Sequence, residues 1–269
     1  MQIREVLSPA ITELLKGRTP AEVRRKPGRF IIRTSLPDGA GGERPVFLKV
    51  YSCEGWWNRL KSSITGRLGK TPPAQAERRN LQWAAAQGIP VPRVVQATEL
   101  PQCDYARASV LITEELSGMN TLHALIPRAA ETLGPAAFRQ WKQELAAETA
   151  RLTRLLHRSD RFHKDLYLSH FFLTDDALAD GLPIHGRLYL LDFLRLRRHR
   201  WNRRRWQVKD LAELLYSSDL PGVETRDLLR FMHAYLGSAK LDRQGRSLVN
   251  SVLRKAARYR RQNRRRVSR

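Results

Sequence analysis

The chain has 269 residues, 42% of them hydrophobic, enough to bury the core of one two-lobed domain or two small ones, so global disorder is not expected. Lys and Arg number 49 against 26 Asp and Glu, and the net charge of +23 favours anionic partners such as phosphates, nucleic acid, lipid headgroups or an acidic protein. The two cysteines form no C-x-x-C pair and the N-terminus lacks an apolar h-region, so no disulfide framework, zinc site or signal peptide is expected.

The first half of the chain is predicted to form a sheet with one helix. Strand-like runs cover residues 29–35, 45–51, 91–97 and 108–114. The turn-rich segment 37–42 lies between the first two runs, which predicts a hairpin. A helical pattern runs from Ala74 to Gln87 and ends at Gly88, which Pro90 follows.

The second half is predicted to be mainly helical. Helices are expected at Pro135–Arg158, Gln207–Tyr216 and Thr225–Leu236 and from about Ser247. Short strands are expected at Phe171–Leu173 and Leu188–Asp192. Strands first and helices later predict an α+β fold in two lobes, with residues 1–116 forming the N-lobe and residues 117–269 the C-lobe.

One loop carries the strongest chemical signal in the chain. It reads His163-Lys-Asp-Leu-Tyr-Leu-Ser-His170, and a later apolar strand ends at Asp192. The spacing from Asp165 to His170 equals that from Asp to Asn in the kinase catalytic loop H-R-D-x-x-x-x-N. Phosphoryl transfer needs one carboxylate for the acceptor hydroxyl and further groups that hold magnesium on ATP. The pattern therefore predicts Asp165 as the catalytic base and Asp192 with His170 as the metal-binding residues. The plain alternative is that Asp165 is a turn or cap residue, as a lone loop Asp usually is.

Three positions of this loop depart from ordinary protein kinases. Tyr167 and Ser169 stand where Ser/Thr kinases carry a lysine and tyrosine kinases an arginine, which argues against a protein kinase. His170 stands where magnesium would prefer an oxygen ligand, so it either binds metal less directly or orients a water or the acceptor. The cation near the transferred phosphoryl group must then come from Lys164, from Lys49 or from the arginines after Asp192.

Lys49 and Glu77 are the candidates for an ATP-anchoring ion pair. Lys49 lies in the middle of a predicted strand, where kinases place the lysine that contacts the α- and β-phosphates, and Glu77 lies early in the next helix. The plain alternative is an outward-facing lysine and a solvated glutamate. The strand that ends at Glu114 is the expected lobe hinge, where the Glu114 carbonyl and the Leu116 amide would contact adenine.

The segment from Arg195 to Trp206 holds seven arginines and two tryptophans. Guanidinium groups pair bidentately with phosphate or carboxylate, so the candidates for acceptor binding are Lys164, Arg195, Arg197 and Arg198. Arginines interleaved with aromatics also suit single-stranded nucleic acid, and a solvated basic loop is the third interpretation. Asp210, at the start of the next predicted helix, either caps that helix or braces the backbone of the catalytic loop.

Together these pieces resemble the Kdo/WaaP family of lipopolysaccharide kinases, in particular its core heptose kinase branch. The matching segments lie between about Leu15 and Leu236. They are Val46–Val50, Gly55-Trp56, Glu77, Gly88–Pro92, Ile112–Leu116, His163–Leu173 and Arg205–Ala212. A histidine at position 170 is itself similar to that branch.

The resemblance implies a bilobal protein-kinase-like fold that uses ATP and Mg²⁺ to phosphorylate a sugar hydroxyl, in the first place of heptose, in the lipopolysaccharide inner core. It implies a cytoplasmic enzyme that is peripheral at the inner face of the inner membrane, where the anionic glycolipid acceptor lies. The family is also associated with acidic acyl carrier protein, which a net charge of +23 would suit. Nucleic acid is not the expected partner.

Two departures keep other functions open. No G-x-G-x-x-G precedes Lys49, so the phosphate-covering loop is expected at residues 24–28, and the glycine of D-F-G is missing after Asp192. The alternatives are a kinase-fold pseudoenzyme, a basic nucleic-acid-binding protein and a kinase for another small molecule.

Overall fold

The structure is a computed structural model, and it describes residues 22–26, 29–38, 41–51, 71–99, 109–178 and 183–267. Two compact units are distinguished, one formed by residues 1–82 and 92–116 and the other by residues 83–91 and 117–269. The Gly55-Trp56 motif, both cysteines and residues 27–28 of the expected phosphate loop lie outside the described residues. No helix in the described part of the chain combines the length and the apolarity that crossing a bilayer requires.

The first unit contains a five-stranded antiparallel sheet with the order β1-β2-β3-β5-β4. The strands are β1 Glu22–Lys26, β2 Arg29–Pro37, β3 Glu43–Tyr51, β4 Val94–Glu99 and β5 Ser109–Glu114. The predicted hairpin is confirmed as β2 and β3, and the predicted helix as α1, Pro73–Ala86. Strand β1 was not predicted, because its run of charged residues lacks an alternating apolar pattern.

Strand β3 is the central strand, and its two faces have different neighbours. Side chains alternate along a strand, so Val46, Leu48 and Val50 share one face and are buried in a core with Ile32 and Ile112. Lys49 and Tyr51 therefore share the other face. The apolar pattern of β3 thus fixes the register that presents this lysine away from the main core of the sheet.

The second unit is mainly helical, as predicted. Its helices are α2 Leu122–Thr132, α3 Pro135–Arg158, α4 Arg203–Ser217, α5 Thr225–Leu236 and α6 Arg243–Val267. Short strands complete it: β6 Met119–Thr121, β7 Arg161–Phe162, β8 Phe171–Thr174, β9 Tyr189–Leu190 and β10 Arg197–Arg198. Strands β6, β8 and β9 form one small sheet, and β7 pairs with β10.

Helices α4, α5 and α6 pack around a common apolar core. Leu211 on α4, Met232 and Tyr235 on α5, and Leu248 and Val252 on α6 are all buried in this core. The helical core also borders a partly open apolar pocket of about 220 Å³. Helix α4 begins four residues before the predicted start, at Arg203, so Asp210 lies in the interior of the helix and does not cap it.

Candidate active site

In the first unit, Lys49 and Glu77 form the expected ion pair. Lys49 Nζ lies 2.5 Å from Glu77 Oε1, and the hydroxyl of Tyr51 donates a hydrogen bond to Glu77 Oε2. The Glu77 side chain is fully buried and that of Lys49 is 14% exposed. Both donors reach the same carboxylate because they share one face of β3. The pair fixes the lysine ammonium at the centre of the sheet.

The end of β5 carries the two hinge candidates. The Glu114 amide donates to the carbonyl of Arg93 and the Glu115 amide to that of Pro45, so backbone pairing with the sheet continues to residue 115. The Glu114 carboxylate pairs with Arg93 and, at 3.2 Å, with Arg44. Leu116 directly follows Glu115 and lies outside the strand.

In the second unit, helix α4 holds the backbone of the catalytic loop in place. Asp210 Oδ2 accepts a hydrogen bond from the His163 amide at 2.7 Å, and Asp210 Oδ1 accepts one from the Lys164 amide at 2.8 Å. Lys164 has a φ of +70°, a conformation that side-chain-bearing residues rarely adopt. These two hydrogen bonds help to hold that conformation. Of the two roles expected for Asp210, the structure therefore shows that it braces the loop backbone and does not cap the helix.

Three further residues of α4 support the loop, and the sequence reasoning missed them. Glu213 accepts hydrogen bonds from the Leu166 amide and the Tyr167 hydroxyl, Lys209 bonds the Lys164 carbonyl, and Ser217 Oγ accepts from the Leu168 amide. The detectable signal was polar residues at helical spacing, at positions 209, 210, 213 and 217. Burial raises the pKa of Glu213, and the Lys209 ammonium opposes this shift.

His163 connects the start of the loop to the strand before Asp192. Its Nε2 lies 3.0 Å from the Leu191 carbonyl oxygen, which can only accept, so Nε2 carries the proton. The ring is fully buried and packs edge-on against Phe193. Burial lowers the pKa of His163, which keeps the imidazole neutral. The Leu191 amide in turn donates to the His170 carbonyl, so the loop and the Asp192 segment are joined twice.

Arg195 is the arginine that contacts Asp165. Its Nη1 lies 2.6 Å and 2.8 Å from the two carboxylate oxygens of Asp165. Lys164 Nζ instead lies over the ring of Trp206, 4.1 Å from its centroid. Arg197 donates to the carbonyls of Leu194 and Leu196, and Arg198 is exposed on β10. The structure thus places one of the four acceptor candidates, Arg195, directly on the carboxylate of the candidate base.

His170 contacts both the backbone of Asp165 and the carboxylate of Asp192. His170 Nδ1 lies 2.7 Å from the Asp165 carbonyl oxygen, so Nδ1 carries the proton and the lone pair of the neutral ring is on Nε2. His170 Nε2 lies 3.8 Å from Asp192 Oδ2. Within the described residues no cluster of three or more His, Cys, Asp or Glu side chains that could hold a metal ion is found.

Comparisons with known proteins show which family and which fold the chain resembles. The model of the lipopolysaccharide kinase (Kdo/WaaP) family matches residues 34–235. A lipopolysaccharide core heptose(I) kinase WaaP from Pseudomonas aeruginosa is 29% identical over 247 residues, which cover 87% of this chain and 86% of that protein. The protein of that name from Escherichia coli K12 is 34% identical over 136 residues, 49% of this chain and 48% of that protein. A solved structure, WaaP in complex with acyl carrier protein, matches with a TM-score of 0.67 and 25% identity over 96% of each chain.

Proposed function

The chain belongs to the lipopolysaccharide kinase (Kdo/WaaP) family, and on this premise we propose that it transfers the γ-phosphate of ATP to a heptose hydroxyl of the lipopolysaccharide inner core. It is a phosphotransferase with an alcohol group as acceptor, and its fold is the α+β protein-kinase-like fold that the sequence predicted. The observation that carries the proposal is the catalytic loop, with Asp165 presented from a backbone that Asp210 braces.

Asp165 acts on the acceptor. One of its carboxylate oxygens accepts the proton of the sugar hydroxyl as the hydroxyl oxygen attacks the γ-phosphorus of ATP. Arg195, which contacts the Asp165 carboxylate, supplies positive charge beside this reaction, a charge that Tyr167 and Ser169 do not provide. Its guanidinium also offers further donors to an anionic acceptor, with Lys164, Arg197 and Arg198 as additional candidates on the same segment.

The first unit binds the nucleotide in this proposal. The Lys49 ammonium contacts the α- and β-phosphates, and the buried Glu77 carboxylate keeps it in place. The carbonyl of Glu114 and the amide of Leu116 contact adenine. The sequence-based candidate for covering the phosphates is the segment 24–28, and its residues 24–26 lie in strand β1, which pairs with β2.

Asp192 and His170 are the residues that would hold Mg²⁺. The fit rests on the His170 ring, whose Nδ1 proton is engaged, so that Nε2 is the nitrogen that faces the Asp192 carboxylate. When bound, the ion would neutralise negative charge on the ATP phosphates.

The proposed partners are anionic. The acceptor is a negatively charged glycolipid, and we place the enzyme in the cytoplasm, peripheral at the inner face of the inner membrane, where a chain with a net charge of +23 is attracted to anionic headgroups. Acyl carrier protein is a proposed protein partner. Two observations support it: the matching WaaP structure is a complex with acyl carrier protein, and the net positive charge of this chain suits an acidic protein.

The decisive test is transfer of labelled γ-phosphate from ATP to a panel of core-oligosaccharide acceptors. We expect labelling of heptose by the wild-type chain and loss of transfer on the order of 10³-fold or more in Asp165→Asn, because the amide cannot accept the hydroxyl proton. The variant should keep the circular dichroism spectrum of the wild type. Turnover by Asp165→Asn at the wild-type rate would contradict the assignment of the base.

A further inference from the structure

An open cleft lies beside the catalytic loop and is used by none of the roles described above. It has a volume of about 530 Å³. Tyr167 and Ser169 line it from the loop, His123 from the start of α2, and the end of α4 forms another side. The last turns of α6 complete it with Arg260, Asn263 and Arg264.

The cleft borders the loop that presents Asp165. Two of its lining residues, Tyr167 and Ser169, follow Asp165 by two and four positions in this loop. Helix α6 is held beside the loop by packing on α4, where the rings of Tyr216 and Tyr259 meet edge-on with their centroids 6.1 Å apart. Burial raises the pKa of Tyr259 to about 12, and the charges of Glu213, Asp210 and Asp165 add to this rise.

The chemistry of the cleft suits an acidic sugar. From Arg243 to the end of the chain there is no acidic residue, so every charged side chain of α6 is basic. Asp219 is the acid in the lining, and Arg260 Nε lies 2.9 Å from its Oδ2, which offsets its charge. Arginine forks bind phosphate or carboxylate bidentately, and the hydroxyl and amide groups of Ser169 and Asn263 suit sugar hydroxyls.

We propose that this cleft is the acceptor subsite that binds the phosphate- or carboxylate-bearing sugar next to the sugar that is phosphorylated, with Arg260 and Arg264 as its anion-binding residues. The inference rests on the proposed function, and it specifies which part of the acceptor the enzyme recognises. An acceptor held there by its anionic group extends along the loop from Tyr167 and Ser169 towards Asp165. The subsite therefore selects acceptors by a charge that is not at the reacting hydroxyl.

The same helix offers a matched control. At its other end, Arg243, Arg246 and Arg254 line a second open cleft of about 600 Å³, and no residue of the catalytic loop lines that cleft. The double variants Arg260→Gln/Arg264→Gln and Arg243→Gln/Arg246→Gln remove the same charge from the same helix. They differ in whether the lost arginines border the catalytic loop.

The test is steady-state transfer to a deacylated, water-soluble core oligosaccharide, which needs no membrane. For Arg260→Gln/Arg264→Gln we expect the KM for the acceptor to rise at least tenfold while the KM for ATP stays within twofold of wild type. For Arg243→Gln/Arg246→Gln we expect both constants within twofold of wild type. With an acceptor whose phosphate and carboxylate groups have been removed, the acceptor KM of the wild type should equal that of Arg260→Gln/Arg264→Gln.

Three results would overturn the subsite. Equal rises of the acceptor KM in both double variants would show a general electrostatic attraction by α6. An effect seen with intact lipopolysaccharide in vesicles but absent with the deacylated acceptor would assign Arg260 and Arg264 to the membrane surface. Unchanged constants in the first variant, with an active wild type, would also reject the cleft. By contrast, a wild type that labels no core acceptor contradicts the proposed function itself, and so the two failures are distinguishable.

Discussion

Each unit of the molecule places a cation–carboxylate pair at a proposed functional position, and the two pairs differ in exposure. In the first unit the pair of Lys49 and Glu77 is buried, with side-chain exposures of 14% and 0%. In the second unit Arg195 and Asp165 are 56% and 21% exposed. The buried carboxylate has an additional donor in Tyr51, and the exposed one borders solvent.

The difference separates a fixed charge from an exchangeable one. A buried pair cannot open without leaving a desolvated charge, so Lys49 is held ready for a phosphate. An exposed pair gains little from its contact, because water and salt screen it. Arg195 can therefore leave Asp165 for an anionic acceptor at small cost, and this frees a carboxylate oxygen for the sugar hydroxyl. The two pairs suit the two substrates of a kinase.

The largest expected loss of stability comes from Lys49→Met. Among the described residues, this leaves the Tyr51 hydroxyl as the donor to the fully buried Glu77 carboxylate, and breaking a buried pair in this way costs about 3 kcal/mol. Urea denaturation monitored by tryptophan fluorescence measures the change. A loss below about 1 kcal/mol would mean that burial does not make this pair a fixed one.

A second buried pair tests whether the stability cost of breaking an ion pair depends on its burial or on the unit in which it lies. Lys142 and Asp227 lie in the second unit, with exposures of 8% and 9% and a separation of 2.6 Å. Burial alone would raise the pKa of Asp227, but hydrogen bonds from Lys142 and the Glu224 amide, and the nearby cations, hold it below the ordinary 3.8. Asp227→Asn should therefore cost about 2 kcal/mol at pH 7.

The pH dependence of this loss has a definite sign. A carboxyl with a lowered pKa contributes stability that is present above its unfolded pKa and is lost as the pH falls through its folded pKa. The difference in unfolding free energy between wild type and Asp227→Asn should be constant from pH 7 to about 5 and should shrink below pH 4. A difference that grows on acidification would contradict the direction of the shift.

How far the sequence predicts this molecule depends on the range of each interaction. Helix α3 was predicted with its observed bounds because Pro135 starts it and an apolar period runs through it, and α5 was predicted likewise. Helix α2 escaped prediction because Pro127 lies inside it. The start of α4 was placed too late, since its first residues are arginines without an apolar pattern.

The proximity of candidate site residues was predicted where a motif fixes their spacing, and supporting contacts were missed where the partners are distant in sequence. Asp165, His170 and Asp192 follow a kinase pattern, and the structure brings them together within one unit. The contact between Asp165 and Arg195 spans 30 residues, and several arginines of that segment were equivalent candidates by sequence. The support from Glu213 and Ser217 depends on how α4 packs against the loop, which spacing alone does not give.

Arg195→Met is the exposed counterpart of Lys49→Met and should separate stability from activity. We expect a change in unfolding free energy of about 0.5 kcal/mol or less, because the pair is exposed. Transfer to the acceptor should fall on the order of 10²-fold, as when one donor to the reacting groups is removed, while the KM for ATP is unchanged. Arg128→Met is the control, since Arg128 pairs with the exposed Asp175 away from the loop. Equal activity of both variants would remove Arg195 from the reaction.

The smallest effect is expected for Arg93→Met, in the same unit as the buried pair. Arg93 is 61% exposed, and its loss leaves Glu114 still paired with Arg44 at 3.2 Å. We expect an unfolding midpoint that is indistinguishable from wild type. In 1 M NaCl, where the screening length is about 3 Å, any residual difference should vanish, whereas the deficit of Lys49→Met should persist because its pair is shielded from salt. A loss for Arg93→Met that matches that of Lys49→Met would mean that pairing, and not burial, sets the cost, and the distinction between a fixed and an exchangeable cation would then fail.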